Sequence, residues 1–353
     1  MYILSAACIS PQDTFASNGM FPPVRILEGN RWSCREPDYK TYISDAALRR
    51  RMSRIIRMGV ATALHCVDLS GVEPDSIITA TGLGCLTDTE KFLAALIENE
   101  QLLNPTPFIQ STFNTVGAQA ALILGNHGYN NTYVHRGVSF ESALLDAMMQ
   151  LKEDADTVLA GCFDETTSTG FEVMRRLGFW KDDLIDSDHL YPGQTKGTAS
   201  GEGAAFFMLG SQPVEKQNSI HVSGIHFFNT SAGNLSIGHQ ITDFLTSVKR
   251  KTDDLDLLVL GNNGDYSDDE TYRGLISRNF ADKPYCLYKN LCGEYATASG
   301  FALYLAYRIL TRQYVPDGVV SRGLIPQKIN HILIYNHYRN INHSLILLEK
   351  INN

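Results

Sequence analysis

The stretch Lys289-Asn290-Leu291-Cys292-Gly293-Glu294-Tyr295-Ala296-Thr297-Ala298-Ser299-Gly300 decides how this chain is interpreted. It follows a short β-prone run at 285–288 and leads into helical periodicity that extends over 296–311. The pattern predicts a strand, a turn and a helix. Cys292 lies two residues before Glu294 in that turn.

The same alternation of strands and helices runs through the rest of the chain, and it predicts an α/β fold. The predicted helices include 48–67, behind Ser44 as N-cap with Asp45 in the first turn, and the segments 132–135, 139–152 and 157–161 form one βαβ-like unit. The polar segment 212–218 is the best candidate for a boundary, which divides the chain into an N-terminal half, 1–215, and a C-terminal half, 216–353. Because no short-period repeat is visible, the halves can be related only as structural duplicates whose sequences have diverged.

Composition narrows the class of protein. The chain has 353 residues, of which 44% are hydrophobic and 19% charged, and its net charge of −8 argues against a nucleic-acid partner. No run approaches the roughly 18 apolar residues of a membrane span, and the N-terminus lacks the features of a signal peptide, so the expected location is the cytoplasm. The dispersed cysteines and histidines show no metal-ligand spacing, and Gly82-Leu83-Gly84 is too short for a dinucleotide fingerprint. We therefore expect neither a metal nor a cofactor.

Several motifs, in the right order, resemble the β-ketoacyl-acyl carrier protein synthase family. The matching segments are Arg50-Arg51-Met52-Ser53-Arg54 (R-R-M-D-R), Ala80-Thr81-Gly82-Leu83-Gly84-Cys85 (G-T-G-x-G-G), Ala155-Asp156-Thr157-Val158-Leu159-Ala160-Gly161-Cys162 (A-D-x-x-L-A-G-G), Gly201-Glu202-Gly203-Ala204-Ala205 (G-E-G-A-G) and 289–300 (K-S-x-x-G-H-x-x-G-A-A-G). This resemblance implies the thiolase-like fold, a duplicated five-layered αβαβα arrangement.

The resemblance also shows which catalytic residues are missing. In the family a cysteine at a helix N-terminus takes the acyl chain, and two histidines assist decarboxylation of the extender. Arg136, or Gly137 if the register slips by one, stands at the cysteine position, and Asn263 and Glu294 stand at the histidine positions, whereas Lys289 matches the family lysine. The family's late glycine-rich loop is replaced by His337-Tyr338-Arg339-Asn340-Ile341-Asn342. No catalytic residue is therefore expected, and we predict that Arg136 and Glu294 form a buried ion pair in the inactive site.

These departures favour a non-catalytic subunit over an enzyme. Within the family, the resemblance implies a chain length factor that forms a heterodimer with an active ketosynthase and works with an acyl carrier protein, in polyketide or fatty acid-type synthesis. The nearest resemblance is to subunits of aryl polyene and flexirubin-type pathways. Large side chains that would shape the substrate tunnel, or simply pack in the core, are Phe108, Phe113 and Phe140.

Two alternatives stay open at this point. One is an autonomous decarboxylase or acyltransferase that uses Ser139 or Cys292 as its nucleophile, although Ser139 also suits a helix cap and Cys292 an inert buried thiol. The other is a homodimeric scaffold that binds only the carrier protein.

Overall fold

The computed structural model describes residues 1–15, 21–192, 195–213, 219–230 and 236–351. The strands are β1 Tyr2–Ile9, β2 Ser76–Ala80, β3 Asn130–Tyr133, β4 Thr157–Asp164, β5 Gly203–Gly210, β6 Ser219–Asn229, β7 Leu257–Leu260, β8 Tyr285–Leu287, β9 Ser321–Arg322, β10 His331–Tyr338 and β11 Asn342–Ile351. The α-helices are α1 Ala46–Arg51, α2 Arg54–Ser70, α3 Leu86–Asn99, α4 Pro105–Gln110, α5 Thr115–Leu124, α6 Ser139–Glu153, α7 Ser168–Arg176, α8 Ile237–Ser247, α9 Tyr266–Asn279, α10 Lys289–Cys292 and α11 Ser299–Arg312. None of these helices is long and apolar enough to cross a bilayer.

The strand order shows an internal duplication that the sequence conceals. The N-terminal strands follow the order β3-β2-β4-β5-β1, and the C-terminal strands follow β8-β7-β10-β11-β6, with β9 added at the edge. In each set the first three strands are parallel and the last two pairings are antiparallel. The two sets join through a short pairing of β1 with β6, at Tyr2–His221 and Ile3–Ile220. The halves are therefore related by topology.

Three apolar cores separate five layers of structure. The largest contains residues of α6 and α11 together with side chains from both sets of strands, so these two helices lie between the sheets. A second core packs α2 and α5 on the outer face of the N-terminal sheet, and a third packs α8 and α9 on the outer face of the C-terminal sheet. This arrangement confirms the predicted thiolase-like αβαβα fold. Its physical basis is that a helix or sheet must bury its apolar faces against another layer.

The local predictions need three corrections. The predicted helix over 48–67 is interrupted, because Met52 is extended (ψ 133°) and a new helix, α2, begins after Ser53. The first helix is capped by Asp45, whose side chain accepts from two backbone N–H groups, and not by Ser44. Strand β1 is absent from the sequence-based prediction, although it pairs with both β5 and β6. Most of the predicted boundary segment, 214–218, lies outside the described residues, so the division at residue 215 remains a prediction.

Candidate functional site

The degenerate positions of the sequence meet at one pocket. Arg136 and Glu294 line a cavity of about 250 Å³ beside the start of α6, and Asn263 shares a smaller neighbouring cavity of about 50 Å³ with Glu294. The loops after β3 and β7 and the turn between α10 and α11 supply these residues. The structure thus brings together all three of the positions that sequence comparison assigned to missing catalytic groups.

The turn from β3 into α6 retains an unusual backbone conformation. Arg136 has a φ of 51°, in the left-handed region that non-glycine residues seldom adopt. The next residue, Gly137, lies directly beneath Tyr338, since a Cβ at Gly137 would lie 2.3 Å from the Tyr338 Cβ. The backbone at Arg136 and Gly137 therefore packs closely against the β10–β11 turn. The Arg136 side chain is exposed, and a guanidinium can form no thioester.

Glu294 belongs to a buried polar network. Its Oε2 atom accepts from the Lys289 ammonium at 2.6 Å and from the Asn263 amide at 3.0 Å. The Lys289 side chain is fully buried, and this salt bridge is the ion pair found for it in the described part of the chain. The second hydrogen of the Asn263 amide goes to Asp268, at 3.1 Å. Each ionisable group in this network is thus held by a neighbour of complementary chemistry.

The predicted ion pair between Arg136 and Glu294 is wrong. Both side chains line the same pocket, but the carboxylate pairs with Lys289, only five residues away across the turn. The physical reason is burial, because a fully buried ammonium without a carboxylate is strongly destabilising, whereas the exposed Arg136 guanidinium remains hydrated.

Two backbone segments cross tightly to place Glu294. The N–H of Glu294 donates to the Ala199 carbonyl, and the N–H of Gly201 donates to the Glu294 carbonyl, at 2.8 and 3.1 Å. Gly201 and Gly293 face each other so closely that a Cβ at Gly201 would lie 1.9 Å from the Cys292 carbonyl oxygen. The glycines of the G-E-G-A and C-G-E motifs are therefore required for this contact.

The two candidate nucleophiles, Ser139 and Cys292, are buried and hydrogen-bonded within the protein. Ser139 Oγ accepts from the His135 N–H at 2.7 Å and donates to the Arg136 carbonyl at 2.8 Å, as a turn-closing residue does. Cys292 is fully buried, and this burial raises the pKa of its thiol well above the ordinary value. A neutral, buried thiol is a poor nucleophile, so the geometry does not favour either residue.

The turn between β10 and β11 contains two residues in the left-handed backbone region. Arg339 and Asn340 have φ values of 55° and 50° between β10 and β11. The Arg339 guanidinium lies 3.8 Å from the centroid of the Phe179 ring and lines both cavities. The sequence alone gave no signal for the pocket wall, which also contains Phe171, Met174 and Trp180.

The three phenylalanine candidates lie in different environments. Phe108, on α4, is 55% exposed and packs against Phe92, and Phe113, just before α5, is 49% exposed and lies over Gly84. Phe140 is fully buried in the central core against Phe207. No group of three or more metal-ligating side chains occurs in the described ranges.

Comparison with known proteins gives the class to which this architecture corresponds. A model of the β-ketoacyl synthase N-terminal domain matches residues 29–176. The fold is shared with the ishigamide ketosynthase/chain length factor, at a TM-score of 0.82 and 15% identity over 99% of this chain and 98% of that chain. It is also shared with the ketosynthase ApeO in complex with its chain length factor ApeC from Xenorhabdus doucetiae, at a TM-score of 0.75 and 15% identity over 99% and 97%.

A third similar structure is AntDE:AntF, a type II acyl-carrier protein in complex with its ketosynthase, at a TM-score of 0.76 and 13% identity over 99% of this chain and 98% of that chain. No curated protein matched the sequence. The chain has the ketosynthase fold throughout. The match over residues 29–176 confirms the resemblance to the β-ketoacyl synthases that the motifs indicated.

Proposed function

We propose that this protein is a non-catalytic homologue of the β-ketoacyl synthases, a chain length factor that pairs with an active ketosynthase. The observation that carries the proposal is the occupied site: an arginine at the nucleophile corner, and an Asn263–Glu294–Lys289 network where the histidines would act. Condensation requires a thiolate and hydrogen-bond donors directed at the developing oxyanion. The site supplies no thiolate, and the Asn263 amide at one histidine position has no hydrogen left for such an oxyanion.

The polar groups of this network are directed at one another. The Asn263 amide donates one hydrogen bond to Asp268 and one to Glu294, which uses both of its hydrogens. The Lys289 ammonium is held by Glu294, whose carboxylate is a hydrogen-bond acceptor and would repel the carboxylate of an extender unit. These contacts support a role in which the chemistry comes from another chain.

An exposed apolar surface supports pairing with a partner. Two of the elements that carry this surface, α5 and α6, pack against β3 at the end of the sheet, and we call it the β3-edge surface. Its large exposed side chains come from α3 to α6 and the segments between them: Leu93, Ile97, Leu102, Phe108, Ile109, Phe113, Leu122 and Met149. Apolar side chains concentrated in this way mark protein interfaces. Within the proposal, Phe108 and Phe113 face the partner, whereas Phe140 is part of the central core.

The likeness to ApeO with ApeC and to the ishigamide ketosynthase/chain length factor supports a finer proposal of elongation of a polyene or polyketide chain on an acyl carrier protein. These structures are 15% identical to this chain and share its fold, and the aryl polyene role is the finer part of the proposal.

Co-expression with ketosynthases encoded nearby, followed by size-exclusion chromatography, tests the proposal. We expect a stable heterodimer in which acyl-carrier protein acylates only the ketosynthase, as read by intact-protein mass spectrometry. Failure to pair with any of them would remove the chain length role. Acylation of this chain alone, or carbon dioxide release without a partner, would establish the autonomous enzyme instead.

A further inference from the structure

The 250 Å³ pocket beside α6 is rich in unused donors. Within the described ranges, the Arg136 guanidinium makes neither an ion pair nor a hydrogen bond, although it lines the cavity. The flat face of the Arg339 guanidinium stacks on the Phe179 ring, and one of its N–H groups donates to the Met174 sulfur at 3.8 Å. Stacking uses the face of a guanidinium and leaves its in-plane N–H groups able to bind a carboxylate.

A third donor lies in the same wall. The indole nitrogen of Trp180 is buried and has no hydrogen-bond acceptor among the described residues. Buried polar groups of this kind are normally satisfied, and an unsatisfied one costs stability. Because this nitrogen is closed off from open space, the two guanidiniums are the donors that a ligand in the pocket contacts.

Two of the three acidic side chains of the pocket, Asp164 and Glu165, accept hydrogen bonds at both oxygens. Asp164 accepts from Thr81, Gly82 and Thr297, and Glu165 accepts twice from Thr87. Glu294 accepts from Lys289 and Asn263. The oxygens of Asp164 and Glu165 are therefore occupied, whereas the Arg136 and Arg339 guanidiniums keep N–H donors for an acceptor group on a ligand.

Asp268 lies beside the pocket, in the wall of the smaller cavity that Arg339 also lines. Its two oxygens already accept from Asn263 and Asn340, at 3.1 and 3.0 Å. The Asp268 carboxylate therefore bonds to Asn263 and Asn340, and it leaves the Arg339 guanidinium able to bind a ligand.

The remaining walls are apolar. The rings of Phe171 and Trp180 lie parallel, with centroids 6.3 Å apart, and Met174 and Leu83 complete the surface. Sites that bind small molecules combine such walls with a few convergent polar groups. A phosphate alone would leave these walls uncovered.

We propose that this pocket binds a small carboxylate with an apolar body, its carboxylate held by Arg136 and Arg339 and its chain lying along Phe171, Met174 and Trp180. The site lies where a ketosynthase nucleophile would stand, but it needs no covalent bond and no partner chain. The proposal is independent of the pairing proposed above, so loss of binding and loss of pairing are separate results.

Isothermal titration calorimetry of the full chain with octanoate, octanol and pantetheine 4′-phosphate tests the site. Octanoate should bind, octanol should bind about tenfold more weakly or not at all, and Arg136→Met should weaken octanoate binding about tenfold, because a charge-assisted hydrogen bond is lost. The matched control is Arg176→Met, which removes an exposed arginine of α7 outside the pocket and should leave binding unchanged.

Arg136 is exposed, so its variant should unfold at the temperature of the parent chain, and Arg339→Met provides a second test of the same carboxylate contact. Equal binding of octanoate and octanol, or no effect of either pocket variant, would overturn the proposal. Tighter binding of pantetheine 4′-phosphate than of octanoate would also overturn it, in favour of a phosphate site.

Discussion

At the scale of single residues, the salt bridge between Lys289 and Glu294 is the central contact of the site. The Lys289 ammonium is fully buried, and the carboxylate that neutralises it stands at a position where the related motif has histidine. Removing a charge pair from water costs several kcal/mol per ion, and only close geometry with further hydrogen bonds compensates. The Asn263 amide supplies one such bond to the same carboxylate oxygen. Glu294 is therefore a stabilising residue.

Glu294→Ala should destabilise the protein by about 3–5 kcal/mol, because it leaves the Lys289 charge buried without a partner. Lys289→Met combined with Glu294→Leu should recover most of that loss, since both charges are then absent. Urea unfolding followed by circular dichroism measures the free energies. The control is Glu270→Ala, which removes an exposed salt bridge to Arg273 and should cost less than about 1 kcal/mol. Equal costs for Glu294→Ala and Glu270→Ala would contradict this role for the pair.

At the scale of elements, the crossing of the segments at Gly201 and Gly293 fixes the site. Gly293 has φ 78° and ψ −175°, a conformation that is essentially restricted to glycine. A Cβ there would also lie 2.6 Å from the Gly201 Cα. The crossing holds the turn before α11 against the strand-like segment at 198–201, and this contact sets the position of the Glu294 carboxylate.

Gly293→Ala should therefore destabilise the chain by about 3 kcal/mol or more, through backbone strain and the clash together. Gly274→Ala is the matched control, because Gly274 lies inside α9 and its Cβ would meet only the flexible end of Arg278, at 3.8 Å. The control should be neutral or stabilising by up to about 1 kcal/mol, from helix propensity. Thermal unfolding of both variants distinguishes strain at Gly293 from a general effect of adding a methyl group.

Elements that are marked by a local sequence pattern could be predicted, whereas those that depend on contacts between distant residues could not. The strands and helices around 76–80, 139–153 and 157–164 have strong periodicity and were predictable, and the motif glycines placed Glu294 in a site. The partner of Glu294 was not predictable, because Lys289 and Arg136 are both cations and only burial in the fold decides between them. Strand β1 and the aromatic pocket wall depend on long-range pairing, which carries no local pattern.

At the scale of the whole molecule, acid should weaken the C-terminal half through its buried histidines. Burial lowers the pKa of His343 to about 4, and its ring stacks between Phe228 and Tyr335. A histidine with a lowered pKa in the folded state stabilises fully above its ordinary pKa, near 6.5, and loses that contribution as the pH falls toward 4. Asp269 acts in the opposite sense, because burial raises its pKa to about 6, so folding gains stability from this group as the pH falls.

Comparing the parent chain with a His343→Gln variant separates the contribution of His343 to stability from that of Asp269. The difference in unfolding free energy between the parent chain and His343→Gln should shrink as the pH is lowered from 7 to about 4.5, because only the parent loses the histidine contribution. Urea titrations at several pH values measure it. A difference that stays constant over this range would show that protonation of His343 is not coupled to unfolding.

The β3-edge surface and β9 stand at opposite ends of the strand order, which allows a controlled test of pairing. Leu122, on α5, is 69% exposed within that surface, whereas Leu324, after β9, is 92% exposed at the far end. Leu122→Asp should weaken association with the co-expressed ketosynthase at least tenfold, because a carboxylate would be buried in an apolar interface. Leu324→Asp adds the same charge and should leave association unchanged. Sedimentation equilibrium gives both dissociation constants, and an equal effect of the two substitutions would place the interface elsewhere. If the parent chain forms a homodimer that Leu122→Asp disrupts, the same surface joins two identical chains, and the scaffold alternative replaces the heterodimer.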